Sequence, residues 1–118
     1  MILAVNIDGT MVGTGLGRAH TMAVADVQQG QIVSWDEVEV GWDISHDQAS
    51  THESHHARIV GFMRDNHVEA VITGHMGPPM AHTLTLMGIT IFTDAEGAAR
   101  DAALAAAAQY PIRHTYAD

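Results

Sequence analysis

The chain reads as a single α/β domain built on a five-stranded mixed sheet covered by helices. Short β-branched apolar runs alternate, through the second half of the chain, with stretches whose apolar residues recur at helical spacing. The run from Ile2 to Ile7 is apolar almost throughout, the pattern of a central strand buried on both faces. At 118 residues and 47% apolar content, the chain can bury roughly two thirds of its unfolded surface in one core without staples.

The first strand leads into a glycine-rich stretch, Asp8 to Arg18, too rich in glycine for a helix and read as a long loop or loose hairpin. His20 to Val27 and Gln31 to Val40 follow as two strands around Gln28-Gln29-Gly30, close enough in sequence to pair as an antiparallel hairpin. After a polar stretch, Ser50-Thr51-His52-Glu53 forms a capping box that opens a helix, with Ile59, Val60 and Met63 on its apolar stripe and Asn66 as a left-handed stop. Val68 to Thr73 is the fourth strand and Gly74 to Gly77 a turn. Pro78 and Pro79 suit a helix entrance, because the N–H that proline lacks has no partner there, and Met80, Leu84 and Met87 share a buried face up to Gly88. Ile89 to Phe92 is the fifth strand. Thr93 or Asp94 caps a last helix from about Ala95 to Ala108, with an uncertain tail beyond Tyr110.

Right-handed crossovers make the first, fourth and fifth strands parallel neighbours. If the first strand runs upward, the glycine-rich loop, the His52 helix start and the turn at His75-Met76 all lie on the upper, carboxyl edge of the sheet, where open α/β sheets tend to bind ligands.

Composition narrows the chemistry. Cysteine is absent, which removes disulfides and thiolate-held metals and leaves imidazole, carboxylate and thioether as ligands. Five arginines, no lysine and fourteen acidic residues give a formal charge of -9, a poor surface for nucleic acid. The N-terminus has no basic leader and no apolar stretch approaches the ~20 residues of a membrane span, so a soluble cytoplasmic protein is expected.

Histidine carries the functional signal. His52 and His56, four residues apart, place two imidazoles on one helical face, with His55 one turn from His52 on the flank, and such a set binds zinc, nickel, copper or iron. The same three residues would also make an ordinary solvated first turn. His75 at the strand end is a further candidate donor; Met76 beside it is better suited to filling the core than to binding, and Met80 to packing on the stripe with Leu84 and Met87. Arg18 and the free N–H groups after Gly77 could hold an anionic cluster or oxyanion, although Arg18 would equally suit a salt bridge to Asp8 or Asp26.

Met1 to Asp8 as first strand, Leu16-Gly17-Arg18-Ala19, Ile72-Thr73-Gly74 with Gly77-Pro78-Pro79-Met80, and Leu84 through Gly88-Ile89-Thr90-Ile91-Phe92 with Gly97 together resemble the dinitrogenase iron-molybdenum cofactor biosynthesis family of the NifX and NifB C-terminal type. The resemblance runs from the N-terminus to about Ala108. It implies a three-layer ribonuclease-H-like fold with helices on both faces of the sheet. It also implies a protein that binds or carries an iron-molybdenum or iron-sulfur cluster, or a relative handling a single transition metal ion, exchanging it with a donor or acceptor protein. Many members have histidine then phenylalanine before Gly-Arg-Ala; here Gly15 and Leu16 stand there.

The main expectation is therefore a non-enzymatic binding or carrier protein: His52, His55, His56 and His75 toward metal, Arg18 and Gly77 toward the anion. A second reading uses Asp8, Glu53 and Asp94 to hold Mg²⁺ for phosphodiester cleavage, as acidic edges of ribonuclease-H-like folds do, against which stand the missing lysine and the acidic charge. A third is a protein-interaction module anchored by Trp35 and Trp42, with which a homodimer is compatible.

Overall fold

In the computed structural model the described residues are 1–44 and 52–116, with side chains described for 1–44 and 54–109. The strands are β1 (Ile2–Asp8), β2 (Met11–Val12), β3 (Thr21–Gln28), β4 (Gln31–Glu39), β5 (Ala70–Ile72) and β6 (Thr90–Phe92), and the helices are α1 (His52–Asp65), α2 (Pro78–Leu86) and α3 (Ala99–Tyr116). The sheet order is β4-β3-β1-β5-β6, with β2 paired to β1. β1, β5 and β6 are parallel, while β3 and β4 run antiparallel, so the predicted parallel trio and hairpin are present.

The sheet has six strands where the sequence suggested five. The addition is β2, whose two residues are too few to carry an alternating pattern. Gly9, at φ 63, lets the chain turn back directly after β1, and Asp8 then pairs with Met11 and Ile7 with Val12.

Residues of β1 point alternately to two cores. Leu3, Val5 and Ile7 meet Ala99, Ala103, Ala106 and Ala107 of α3 on one face. Ala4 on the other face joins the cluster holding Ile59 and Met63 of α1, Leu84 of α2 and Trp42. Helices thus cover both faces, and the α3 alanines, at i, i+4, i+7 and i+8, bring that helix close to the strands. Burying each large side chain here, such as Leu3, Met63 or Leu84, contributes about 1.5–3 kcal/mol.

Three further boundaries differ from expectation. The final helix begins at Ala99 rather than near Ala95, because the preceding backbone is otherwise engaged. Asp94 and Gly97 have φ of 60 and 84, Val12 N–H donates to Gly97 O at 2.9 Å, and Ala99 N–H donates to Thr10 O at 2.9 Å. The helix also continues to Tyr116, past the expected tail at Tyr110. After α1 the left-handed residue is His67, at φ 56, while the Asn66 amide donates back to Phe62 O at 2.9 Å. Ser50 of the proposed capping box lies outside the described residues, as does the Glu53 side chain.

Neither tryptophan is a free anchor. Trp42 is buried edge-on against Phe62, with ring centroids 5.4 Å apart, and Trp35 packs beneath the Arg100 guanidinium at 4.6 Å.

Candidate functional site

The carboxyl ends of β1 and β5 are joined by backbone. Gly74 N–H donates to Gly13 O at 3.0 Å, Leu16 N–H donates to His75 O at 3.0 Å, and Gly15 and His75 form an isolated parallel bridge. The glycine-rich loop is thus laid as an extra strand-like segment beside the β5–α2 turn. Beneath it the buried Asn6 amide donates to Thr73 Oγ1 at 3.1 Å, and Gly13 N–H donates to Asn6 O at 2.7 Å. Such closeness requires small residues: a Cβ on Gly74 would stand 2.8 Å from Thr14 O.

Between this braced edge and α1 lies an open cavity of about 290 Å³. The loop supplies Leu16 and Gly17, α1 supplies His55, His56 and Ile59, and the β5–α2 segment supplies Met76, Gly77, Pro79 and Met80. Its size sits at the lower end of small-ligand sites, and its mostly apolar wall with a few polar atoms is the usual construction of one.

The two helix histidines differ. His55 is only 8% exposed, and its Nε2 lies 3.6 Å from where a Cβ on Gly17 would be, so the ring spans from α1 to the loop. His56 is half-buried and its Nε2 is 3.0 Å from Thr83 Oγ1 of α2. The buried line of α1 therefore runs Met63, Ile59, His55 at successive i−4 steps. The sequence spacing predicts His52 and His56 on one helical face with His55 on its flank; the structure places His55 on the buried line and leaves His56 half-buried beside it.

At the β5 end, Met76 turns inward at 7% exposure, and His75, one residue earlier, is exposed and contributes no atom to the cavity wall. The His75 carbonyl takes part in the brace, accepting from Leu16 N–H and from Thr73 Oγ1 at 3.3 Å. The His52 side chain is outside the described set, although its backbone opens α1. The two methionines, which sequence reasoning left to packing, line the cavity. For Met80 helical spacing could not separate packing from lining, because both put the side chain on the inner face of α2.

Arg18 and Gly77, paired in the sequence reading, lie on different cavities. Gly77 borders the histidine cavity, whereas Arg18 borders a second, polar one of about 250 Å³ with Asn6, Asp8, Thr14 and His20. Of the proposed Mg²⁺ ligands, Asp8 lies on this second cavity and Asp94 is exposed. Among the described residues no three His, Asp or Glu side chains gather closely enough to hold a metal ion by themselves.

His20 flanks the same edge and binds Asp43 through Nδ1 at 3.1 Å, with Glu39 at 3.5 Å from Nε2. The hydrogen bond that the Asp43 carboxylate accepts from His20, and the charge of that carboxylate, raise the His20 pKa above the ordinary 6.5. On Asp43 burial pushes upward, but His20 and the Ile44 N–H outweigh it and the carboxyl is lowered. The His20 contribution is therefore full below the unfolded histidine value and is lost as pH rises through the raised one. The Asp43 contribution is full above the unfolded carboxyl value and is lost as pH falls through the lowered one. An NMR titration should find the His20 pKa above 6.5 in the native protein and returned toward it in Asp43→Asn; an unchanged titration would show that the pair does not form in solution.

Fold and cavity together define a class: a small α/β protein with one open, imidazole- and thioether-bordered pocket at the carboxyl edge of its parallel strands. The matching family model, described as dinitrogenase iron-molybdenum cofactor, covers residues 1–110. The chain belongs to this family, which ties it to the biosynthesis or carriage of the iron-molybdenum cofactor, a cofactor-binding or carrier role. Among solved structures, the apo form of the orange protein from Desulfovibrio gigas is similar at a TM-score of 0.69 and 22% identity, over 86% of this chain and 82% of that one. The protein PH0822 is similar at 0.68 and 19%, over 86% of each chain. The protein MJ0327 from Methanocaldococcus jannaschii is similar at 0.58 and 16%, over 88% of this chain and 84% of that one. At these identities the likeness is one of fold. No curated protein matches the chain. Among the described residues no helix is long and apolar enough to cross a membrane.

Proposed function

We propose that the protein binds and carries an iron-molybdenum or related iron-sulfur cluster in the cavity between α1 and the glycine-rich loop, without catalysing a reaction on it. The observation that carries this reading is the meeting of two α1 imidazoles with two thioethers at a single opening, in a chain of this family. Imidazole and thioether are the borderline and soft donors available to a protein without cysteine. A cavity of about 290 Å³ is also far roomier than the roughly 30 Å³ that one water molecule occupies in the liquid, which suits a compact cluster better than a bare ion.

In this reading His55 and His56 make the inner contacts, His52 adds a donor from the first turn of α1, and His75 meets cargo at the exposed rim. Gly77, at the start of α2, offers its single backbone N–H to an anionic cluster, Pro78 and Pro79 having none, and Arg18 favours its approach from the adjacent cavity. The strand order, with its antiparallel hairpin on one side of β1 and parallel strands on the other, supports the ribonuclease-H-like label for the fold. An open pocket also suits hand-over between a donor and an acceptor protein.

Anaerobic reconstitution with iron, molybdate and sulfide, followed by metal analysis after gel filtration, tests the reading. Stoichiometric metal is expected in the parent protein, with most of it lost in the His55→Ala/His56→Ala variant. Less than stoichiometric metal in the parent, or equal loading of the variant, would defeat the proposal.

A further inference from the structure

Thr83 is on α2, opposite the histidine helix, and its hydroxyl makes two contacts: 3.0 Å from His56 Nε2 and 3.1 Å from Pro79 O. A hydroxyl has one proton, and a carbonyl oxygen can only accept. The contact to Pro79 therefore takes the Thr83 proton, and the oxygen lone pair that remains faces His56. Only an Nε2–H on the imidazole makes the second contact a hydrogen bond. With that nitrogen carrying the proton, the neutral ring has its lone pair on Nδ1. Metal-binding histidines are commonly oriented in this way, by a hydrogen bond at the nitrogen that does not ligate.

We infer that Thr83 is a positioning residue for the cavity, holding His56 in its Nε2–H form so that Nδ1 is the nitrogen that meets a metal. The relay Pro79 O, Thr83 hydroxyl, His56 imidazole also ties α2 to α1 across the opening. The same α2 segment supplies Pro79 and Met80 to the cavity wall, so the relay sets the ring against that wall as well as selecting its tautomer. The ligand half of this inference rests on the metal-binding reading above; the tautomer half does not.

The test pairs Thr83→Val, which keeps the shape and removes the hydroxyl, with Thr83→Ser, which restores it, using thermal unfolding to confirm that both are folded. Nitrogen-15 NMR of the metal-free protein should show His56 protonated at Nε2 in the parent and in Thr83→Ser, and a shift toward the Nδ1–H form in Thr83→Val. With Zn²⁺ as probe, the Nδ1 resonance should move while Nε2 keeps its proton, and Thr83→Val should bind about 10–100-fold more weakly, with Thr83→Ser close to the parent. A parent protein already protonated at Nδ1, or Zn²⁺ binding equal in all three proteins, would overturn the inference. A parent that binds no Zn²⁺ while showing Nε2–H would overturn the ligand role of Nδ1 and leave the tautomer assignment standing on its own spectrum.

Discussion

Replacing Gly74 with alanine is expected to destabilise the protein by about 1–3 kcal/mol, the usual cost of forcing a methyl group into packed surroundings. The new Cβ would stand 2.8 Å from Thr14 O, 3.1 Å from Thr14 Cα and 3.2 Å from Gly13 O, all of them backbone atoms that cannot rotate aside. Relief requires the glycine-rich loop to lift from the β5–α2 turn, which would stretch the Gly74 to Gly13 hydrogen bond and the Leu16 to His75 bond beyond it. Urea unfolding should show the midpoint falling with little change in slope. Gly15→Ala is the internal control, since a Cβ there meets nothing within 4 Å and the residue already has an extended φ of -120. It should be neutral or slightly stabilising. Equal midpoints for the two variants would mean that the loop does not press on the turn.

The second large effect lies one layer deeper. Asn6 is 2% exposed, donates to Thr73, and has its side chain against Gly13, where a Cβ would meet Asn6 Cγ at 2.7 Å. Asn6→Ala should cost about 2–3 kcal/mol, through the lost hydrogen bond, the cavity and the buried Thr73 hydroxyl left with fewer partners. Gly13→Ala should by itself cost about 1–3 kcal/mol. Together the two should cost clearly less than their sum, with a coupling of about 1 kcal/mol or more, because removal of the Asn6 amide makes room for the methyl group. Strict additivity would show that Asn6 and Gly13 do not share this space. Gly13 and Asn6 brace the β5–α2 turn through Gly74 and Thr73, so under the proposed function metal retention should fall along with stability.

Much of the fold was legible because it depends on short-range periodicity and on the handedness of chain connections. β1 was identified by a run apolar at every position but Asn6, the β3–β4 hairpin by its short turn, and the parallel trio by right-handed crossovers. The glycine-rich stretch was recognisable as irregular but not as a brace, since its bonds go to residues about sixty positions away. The start of α3 was misplaced for a related reason: residues 94–98 have helix-compatible composition, and it is pairing with β2 that keeps them out of the helix.

The sequence by itself determined which donor groups the chain has, imidazole and thioether but no thiolate, and the direction of its parallel strands, because composition and chain connection need no coordinates. Only the tertiary structure decided that His55 continues the buried line of α1, that Met76 faces inward while His75 faces solvent, and that Arg18 and Gly77 border separate cavities. Side-chain direction at a helix start or a turn changes with a shift of one residue. That phase is set by backbone bonds between distant segments, here Gly13 to Gly74 and Leu16 to His75, which no local pattern encodes.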